Sequence, residues 1–151
     1  MYNKQLKDEF WLTLGRYMSL TPSATGEKVN WINYKTGVRF IQFKIDADNN
    51  EVSVAIQLSN PDLKKQERLI KQINEDLAIL SNYTDPCWQT QSYVTSQDGR
   101  IISSVFQQLT GVNVYQKCDW PDIITFIKKL LTGLDRFWVE QADLYSMLSD
   151  Q

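Results

Sequence analysis

The chain has 151 residues, of which 42% are hydrophobic and 23% charged, with a formal net charge of −2 and no histidine. One domain over residues 1–151 is expected, since a chain this long buries roughly two thirds of its unfolded surface without a disulfide or metal staple. Without an imidazole, Ser-His-Asp and Cys-His catalysis and every histidine-containing zinc site are excluded, and the slight negative charge argues against bulk electrostatic attraction to DNA.

Residues 3–20 read as a helix, because Leu6, Phe10, Leu14, Tyr17 and Met18 recur at helical spacing and Trp11 widens the stripe. Thr21-Pro22 ends it, since a residue before proline avoids the α region. Residues 23–37 form a loop with two glycines that also holds Trp31, Ile32 and Tyr34. Residues 38–45 then alternate as a strand, with Val38, Phe40, Phe43 and Ile45 among polar neighbours; Ile41 breaks strict alternation. Turn-forming residues 46–50 lead to a second strand over 51–58, where Val52, Val54, Ile56 and Leu58 share one face.

Ser59-Asn60-Pro61 has the chemistry of a helix start, with Leu63, Ile70, Ile73, Leu77 and Leu80 on the inner face up to Ser81. Residues 88–95 and 101–109 flank an Asp98-Gly99 turn and read as a second hairpin, and residues 111–115 as a short extended piece. Asp119 is the expected cap of a long helix over 121–148, with Gly133 marking a possible bend. The whole is α+β: a mainly antiparallel sheet of two hairpins packed with three helices, in the order α-β-β-α-β-β-α. Asp8-Glu9-Phe10-Trp11 and Asp135-Arg136-Phe137-Trp138 look alike, and core aromatics at helical positions explain them better than a duplication does.

No stretch approaches the length of a membrane span and the first residues have no apolar leader, so a cytoplasmic protein without a membrane partner is expected. Cys87 and Cys118 then read as reduced thiols, too few to complete a structural zinc site. No phosphate-binding glycine loop occurs, and no cofactor is expected. Asp46, Asp48 and Glu51 cluster at the first hairpin turn, but read best as a solvated turn rather than a metal site. The helix-strand-strand-helix opening invites comparison with restriction-type nucleases, which need an acid-x-lysine pair on the second strand. Gln57-Leu58-Ser59 stands there instead, so a related fold would lack its catalytic residues.

Between Arg16 and Lys44 five cations face a single carboxylate, Glu27. Within that span the candidate binding residues are Lys28, Asn30, Trp31, Asn33, Tyr34, Lys35 and Arg39. Aromatics that stack, interleaved with cations and amides, suit nucleic-acid or peptide recognition. The plainer alternative is that Trp31 and Tyr34 plug one end of the sheet while the lysines stay solvated.

The run Gly26-Glu27-Lys28-Val29-Asn30-Trp31-Ile32-Asn33-Tyr34-Lys35-Thr36-Gly37 resembles a bacterial domain-of-unknown-function family of small stand-alone proteins, common in Bacteroidetes-type bacteria. Phe10-Trp11, Asp46-Ala47-Asp48-Asn49, Asp119-Trp120-Pro121 and Leu134-Asp135-Arg136-Phe137-Trp138 are similar as well, so the resemblance covers nearly the whole chain. It implies one domain, sometimes fused behind nuclease-like modules, and brings no catalytic residues with it. Residues and resemblance together lead to the expectation of a non-catalytic binding module for nucleic acid or a nucleic-acid-processing protein partner. The alternatives are a divergent metal-dependent nuclease at Asp46 and Glu51, or a scaffold domain that forms a homo-oligomer.

Overall fold

A computed structural model describes residues 3–150. The elements follow the expected order: α1 (Lys4–Met18), β1 (Ile41–Ala47), β2 (Glu51–Leu58), α2 (Leu63–Tyr83), β3 (Gln89–Thr95), β4 (Ile101–Thr110) and α3 (Trp120–Asp150). The two hairpins join through β2 and β4, giving an antiparallel sheet of order β1-β2-β4-β3. The cause is visible in β2, where Val52, Val54, Ile56 and Leu58 are all buried, so the central strand drives a continuous apolar row against the helices. β3, at one edge, is exposed along its whole length.

Three boundaries differ from the sequence expectation. β1 begins at Ile41 rather than residue 38, and its buried positions are Ile41, Phe43 and Ala47. Phe40 just before it has φ +68°, a left-handed conformation that resets the alternation and takes Val38 and Phe40 out of the strand. α2 is capped by Asp62, whose carboxylate accepts from the Lys64 and Lys65 amides, while the Asn60 side chain accepts from the Asp62 amide. Pro61 therefore precedes the helix, and Leu63, expected inside, is 42% exposed. Asp119 does not cap α3; it sits in a short 3-10 turn (Lys117–Asp119) and accepts from the Asn113 amide.

Residues 111–115 form no strand, yet they are tied to the β1–β2 turn. The Gly111 amide donates to Asn50 O at 2.9 Å and the Val114 amide to Asp48 O at 3.1 Å, with Val112 and Val114 buried. α3 continues uninterrupted through Gly133. The glycine is there for space: a Cβ at that position would approach the Tyr83 carbonyl oxygen and the Thr84 methyl to under 3.0 Å. The end of α2 thus crosses α3 on a bare backbone.

Apolar periodicity overlooks two polar groups on the inner face of α2. Gln66 donates to Asn60 O and Ile101 O and accepts from Ser103, so one buried amide stitches helix to sheet. Asp76 accepts from Tyr145 at 2.8 Å, joining α2 to the far end of α3. Both groups satisfy the requirement that a buried polar atom be hydrogen-bonded. Among the described residues no helix is long and apolar enough to cross a membrane.

Candidate functional site

Residues 19–40 connect α1 to β1 with no helix or strand of their own. A connection this long is uncommon unless it is functional or disordered, and this one is held by a set of buried anchors. Asp135 of α3, 1% exposed, collects most of them. Ser23 Oγ donates to its two oxygens at 2.8 and 3.1 Å, the Ala24 amide at 2.7 Å and the Tyr34 hydroxyl at 2.6 Å. One turn further on, Trp138 Nε1 donates to Thr36 O at 2.7 Å, and Thr36 Oγ1 donates to Ile41 O at 2.7 Å.

The two aromatics of the loop belong to this anchoring. Trp31 is 3% exposed and its Nε1 donates to Thr21 O at 2.8 Å. Tyr34 is half-buried, with its ring stacked on Phe43 at a centroid distance of 5.0 Å and 6.0 Å from Trp31. Burial, followed by the hydrogen bond and charge of Asp135, pushes the Tyr34 hydroxyl well above its ordinary pKa. Tyr145 moves the same way, through burial and then the bond and charge of Asp76 with a smaller push from Glu75.

These shifts make an alkaline prediction. A group held neutral in the fold contributes stability that is complete below its unfolded pKa of about 10 and is lost as pH rises above it. Urea midpoints measured from pH 8 to 12 should be flat at first and then fall from about pH 10. Tyr34→Phe and Tyr145→Phe should each flatten that fall. If both variants keep the wild-type slope, the neutral-hydroxyl account of these anchors is wrong.

What the loop leaves outside is cationic and amide-bearing. Lys28, Asn30, Asn33, Lys35 and Arg39 are all exposed. Asn30 also serves the loop, accepting from the Asn33 amide at 3.1 Å. Lys28, Asn30, Asn33 and Lys35 border one open depression of about 600 Å³, and Lys35, Arg39, Phe40 and Gln42 a second of about 530 Å³. Arg39 lies over the Phe40 ring at 4.7 Å. No ion pair to a described carboxylate engages Lys28, Lys35 or Arg39; the pairs present are Arg100–Asp98, Lys117–Glu9 and Lys129–Asp85, all exposed.

The carboxylates of the first hairpin turn are spread along it. Asp46 stands opposite Ser53, while Asp48 accepts from the Asn49 amide and donates its own amide to Glu51 O. Among the described residues no group of three or more carboxylates or cysteines is placed to hold a metal ion. Cys87 and Cys118 are both exposed and free.

Sequence reasoning overlooked Asp135 and Phe40. Asp135 was legible as an acid among the inward positions of α3, one turn from Leu131 and Trp138, where a carboxylate needs buried donors. Phe40 carries no such signal, because an aromatic residue before a strand reads as part of the strand.

No curated protein and no solved structure matches the chain. A family model does, over residues 6–142, a span that takes in the anchored loop, all four strands and Asp135. The chain belongs to that family, Domain of unknown function (DUF4268).

Proposed function

We propose that this domain is a non-catalytic binding module which presents a pre-shaped cationic loop to nucleic acid. The observation that carries the reading is the division of labour within residues 28–39. Trp31 and Tyr34 are spent on holding the backbone, whereas Lys28, Lys35 and Arg39 project from it with no carboxylate partner among the described residues. Cations on an ordered backbone lose little conformational freedom on meeting phosphates, and each phosphate contact releases counterions. The amides of Asn30 and Asn33 add hydrogen-bonding capacity beside them. Surface thiols at Cys87 and Cys118 suit a reducing, cytoplasmic setting, and the family resemblance supports a bacterial one.

The test is binding of labelled DNA and RNA, single-stranded and duplex, followed by anisotropy at 50 and 200 mM salt. Three phosphate-contacting cations should cost roughly 20- to 40-fold in affinity over that range. The combined variant Lys28→Ala, Lys35→Ala, Arg39→Ala should weaken binding and reduce the salt slope by about three, leaving the unfolding free energy measured in urea within about 0.5 kcal/mol of wild type because all three side chains are exposed. Trp31→Ala is unsuitable here, since emptying a buried indole site costs about 3–5 kcal/mol whatever the ligand. Absence of salt-sensitive binding to every nucleic-acid form would end this reading.

A further inference from the structure

Phe40 holds a left-handed backbone at φ +68°, a conformation that glycine adopts without strain and that costs a bulky residue of the order of 1–2 kcal/mol. Such an outlier persists only where its surroundings hold it, and it directs attention to what the side chain does. The Phe40 carbonyl accepts from the Ser59 amide at 3.0 Å, which fixes the turn, and the ring borders three adjoining cavities. One is the cationic depression at Lys35 and Arg39. The second, about 370 Å³, is walled by Phe40, Pro61, Leu63 and Ile101 and is largely apolar. The third, about 490 Å³, brings Arg39 and Lys65 together with Ser146 and Ser149 from the end of α3.

These neighbours differ in chemistry in a useful way. An apolar slot meets two cation-bearing depressions at Phe40, the first lined by Lys35 and Arg39 and the other by Arg39, Lys65 and one carboxylate, Asp150. No described carboxylate forms an ion pair with any of the three cations. Ser149 lines the third cavity, although its hydroxyl oxygen is itself buried. The exposed Leu63, which the helix start turns outward, becomes part of the slot rather than a stray apolar residue.

Resting on the reading above, we infer that the Phe40 cavity is a slot for one unstacked base of single-stranded nucleic acid, with the flanking phosphates on Arg39, Lys65 and Lys35. Bases stack on aromatic faces irrespective of sequence, whereas in a duplex they are already stacked and face inward. The slot is therefore selective for single strands over duplex. The cations supply the charge complementarity; Arg39 lies over one face of the Phe40 ring at 4.7 Å, so the base takes the other face.

The experiment compares a labelled 12-nucleotide single strand with a duplex of the same length, at fixed salt, on the full chain. Phe40→Gly removes the ring but keeps the backbone conformation, and Leu63→Trp fills the slot from an exposed position. The single strand should bind at least about 10-fold tighter than the duplex, and each variant should lower its affinity by about 5- to 100-fold, the range for losing one stacked base. Duplex affinity should change by less than about twofold in both variants. Equal affinity for the two forms, or wild-type binding by Leu63→Trp, overturns the slot and leaves the cationic loop standing. Binding of neither form overturns both readings. Displacement of the single strand by an uncharged apolar peptide at comparable concentration also overturns the slot, because it would mark a protein-binding cavity.

Discussion

Replacing Asp135 with alanine is expected to cost about 4 kcal/mol, the largest loss from any single polar side chain in this domain. Its carboxylate accepts from the Ser23 hydroxyl, the Ala24 amide and the Tyr34 hydroxyl, and it is 1% exposed. Hydrogen bonds to a charged acceptor contribute about 1.5–3 kcal/mol each, and the total is less than their sum because the three share one acceptor. Alanine also takes the acceptor away from the Ala24 N–H and both hydroxyls, of which the Ser23 hydroxyl is buried. Asp135→Asn should fall between, since the amide oxygen replaces one acceptor while its NH₂ group confronts a backbone donor. Against a total stability of about 5–15 kcal/mol, the alanine variant should lower the melting temperature by about 10 °C or more. Urea unfolding with hydrogen exchange at residues 23–37 is the measurement. A cost under about 1 kcal/mol, or unchanged exchange at Ala24, would show that Asp135 does not hold the loop.

Gly133→Ala should destabilise by about 2 kcal/mol, although alanine is the better helix former. On an exposed helix the same change gains up to about 1 kcal/mol. Here the added methyl meets the Tyr83 carbonyl oxygen and the Thr84 side chain at under 3.0 Å, and backbone cannot turn aside as a flexible side chain can. Thr84 is itself fixed, its hydroxyl donating to Leu80 O at 2.7 Å and accepting from Trp88 Nε1 at 2.9 Å. The end of α2 must move as a unit, which disturbs the 2.7 Å bond from Gln107 to Asp85 O close by. A larger loss is expected for Gly133→Val. If either variant matches or exceeds wild-type stability in urea, the two helices do not cross in contact at this glycine.

The two expected losses differ in how far they could be read beforehand. Gly133 in a helical pattern reads as a bend or a weak point, and nothing local says that another helix passes over it. That fact depends on the crossing of two elements some fifty residues apart. Asp135 was part of a four-residue match, Asp135-Arg136-Phe137-Trp138, in which Phe137 and Trp138 were read correctly as core. The acid beside them faces the same interior, and its partners Ser23, Ala24 and Tyr34 lie more than a hundred residues away in the chain.

In the binding region, composition separated the residues from the rest of the chain but could not separate their roles. Lys28, Trp31, Tyr34 and Lys35 read as one mixed surface, with burial of the aromatics left as the plainer alternative. The structure divides them: Trp31 is inside, Tyr34 is half inside and bonded to Asp135, and the lysines are outside. Alternation across residues 38–45 places Phe43 and Ile45 on the inner face, as found, but starts the strand three residues early because a single left-handed residue, Phe40, interrupts the pattern. Hydrophobic pattern averages over neighbours and does not register one backbone angle.

From the sequence by itself come the α+β class, the element order, the two hairpins and the exclusion of histidine-dependent chemistry, since periodicity, turn residues and composition are local quantities. Only the tertiary structure decides that a 22-residue connection is ordered, that Asp135 orders it, and that Phe40 stands between cationic and apolar cavities. Each of those depends on groups distant in sequence meeting in a buried or crowded place, where desolvation and packing rather than local propensity set the energy.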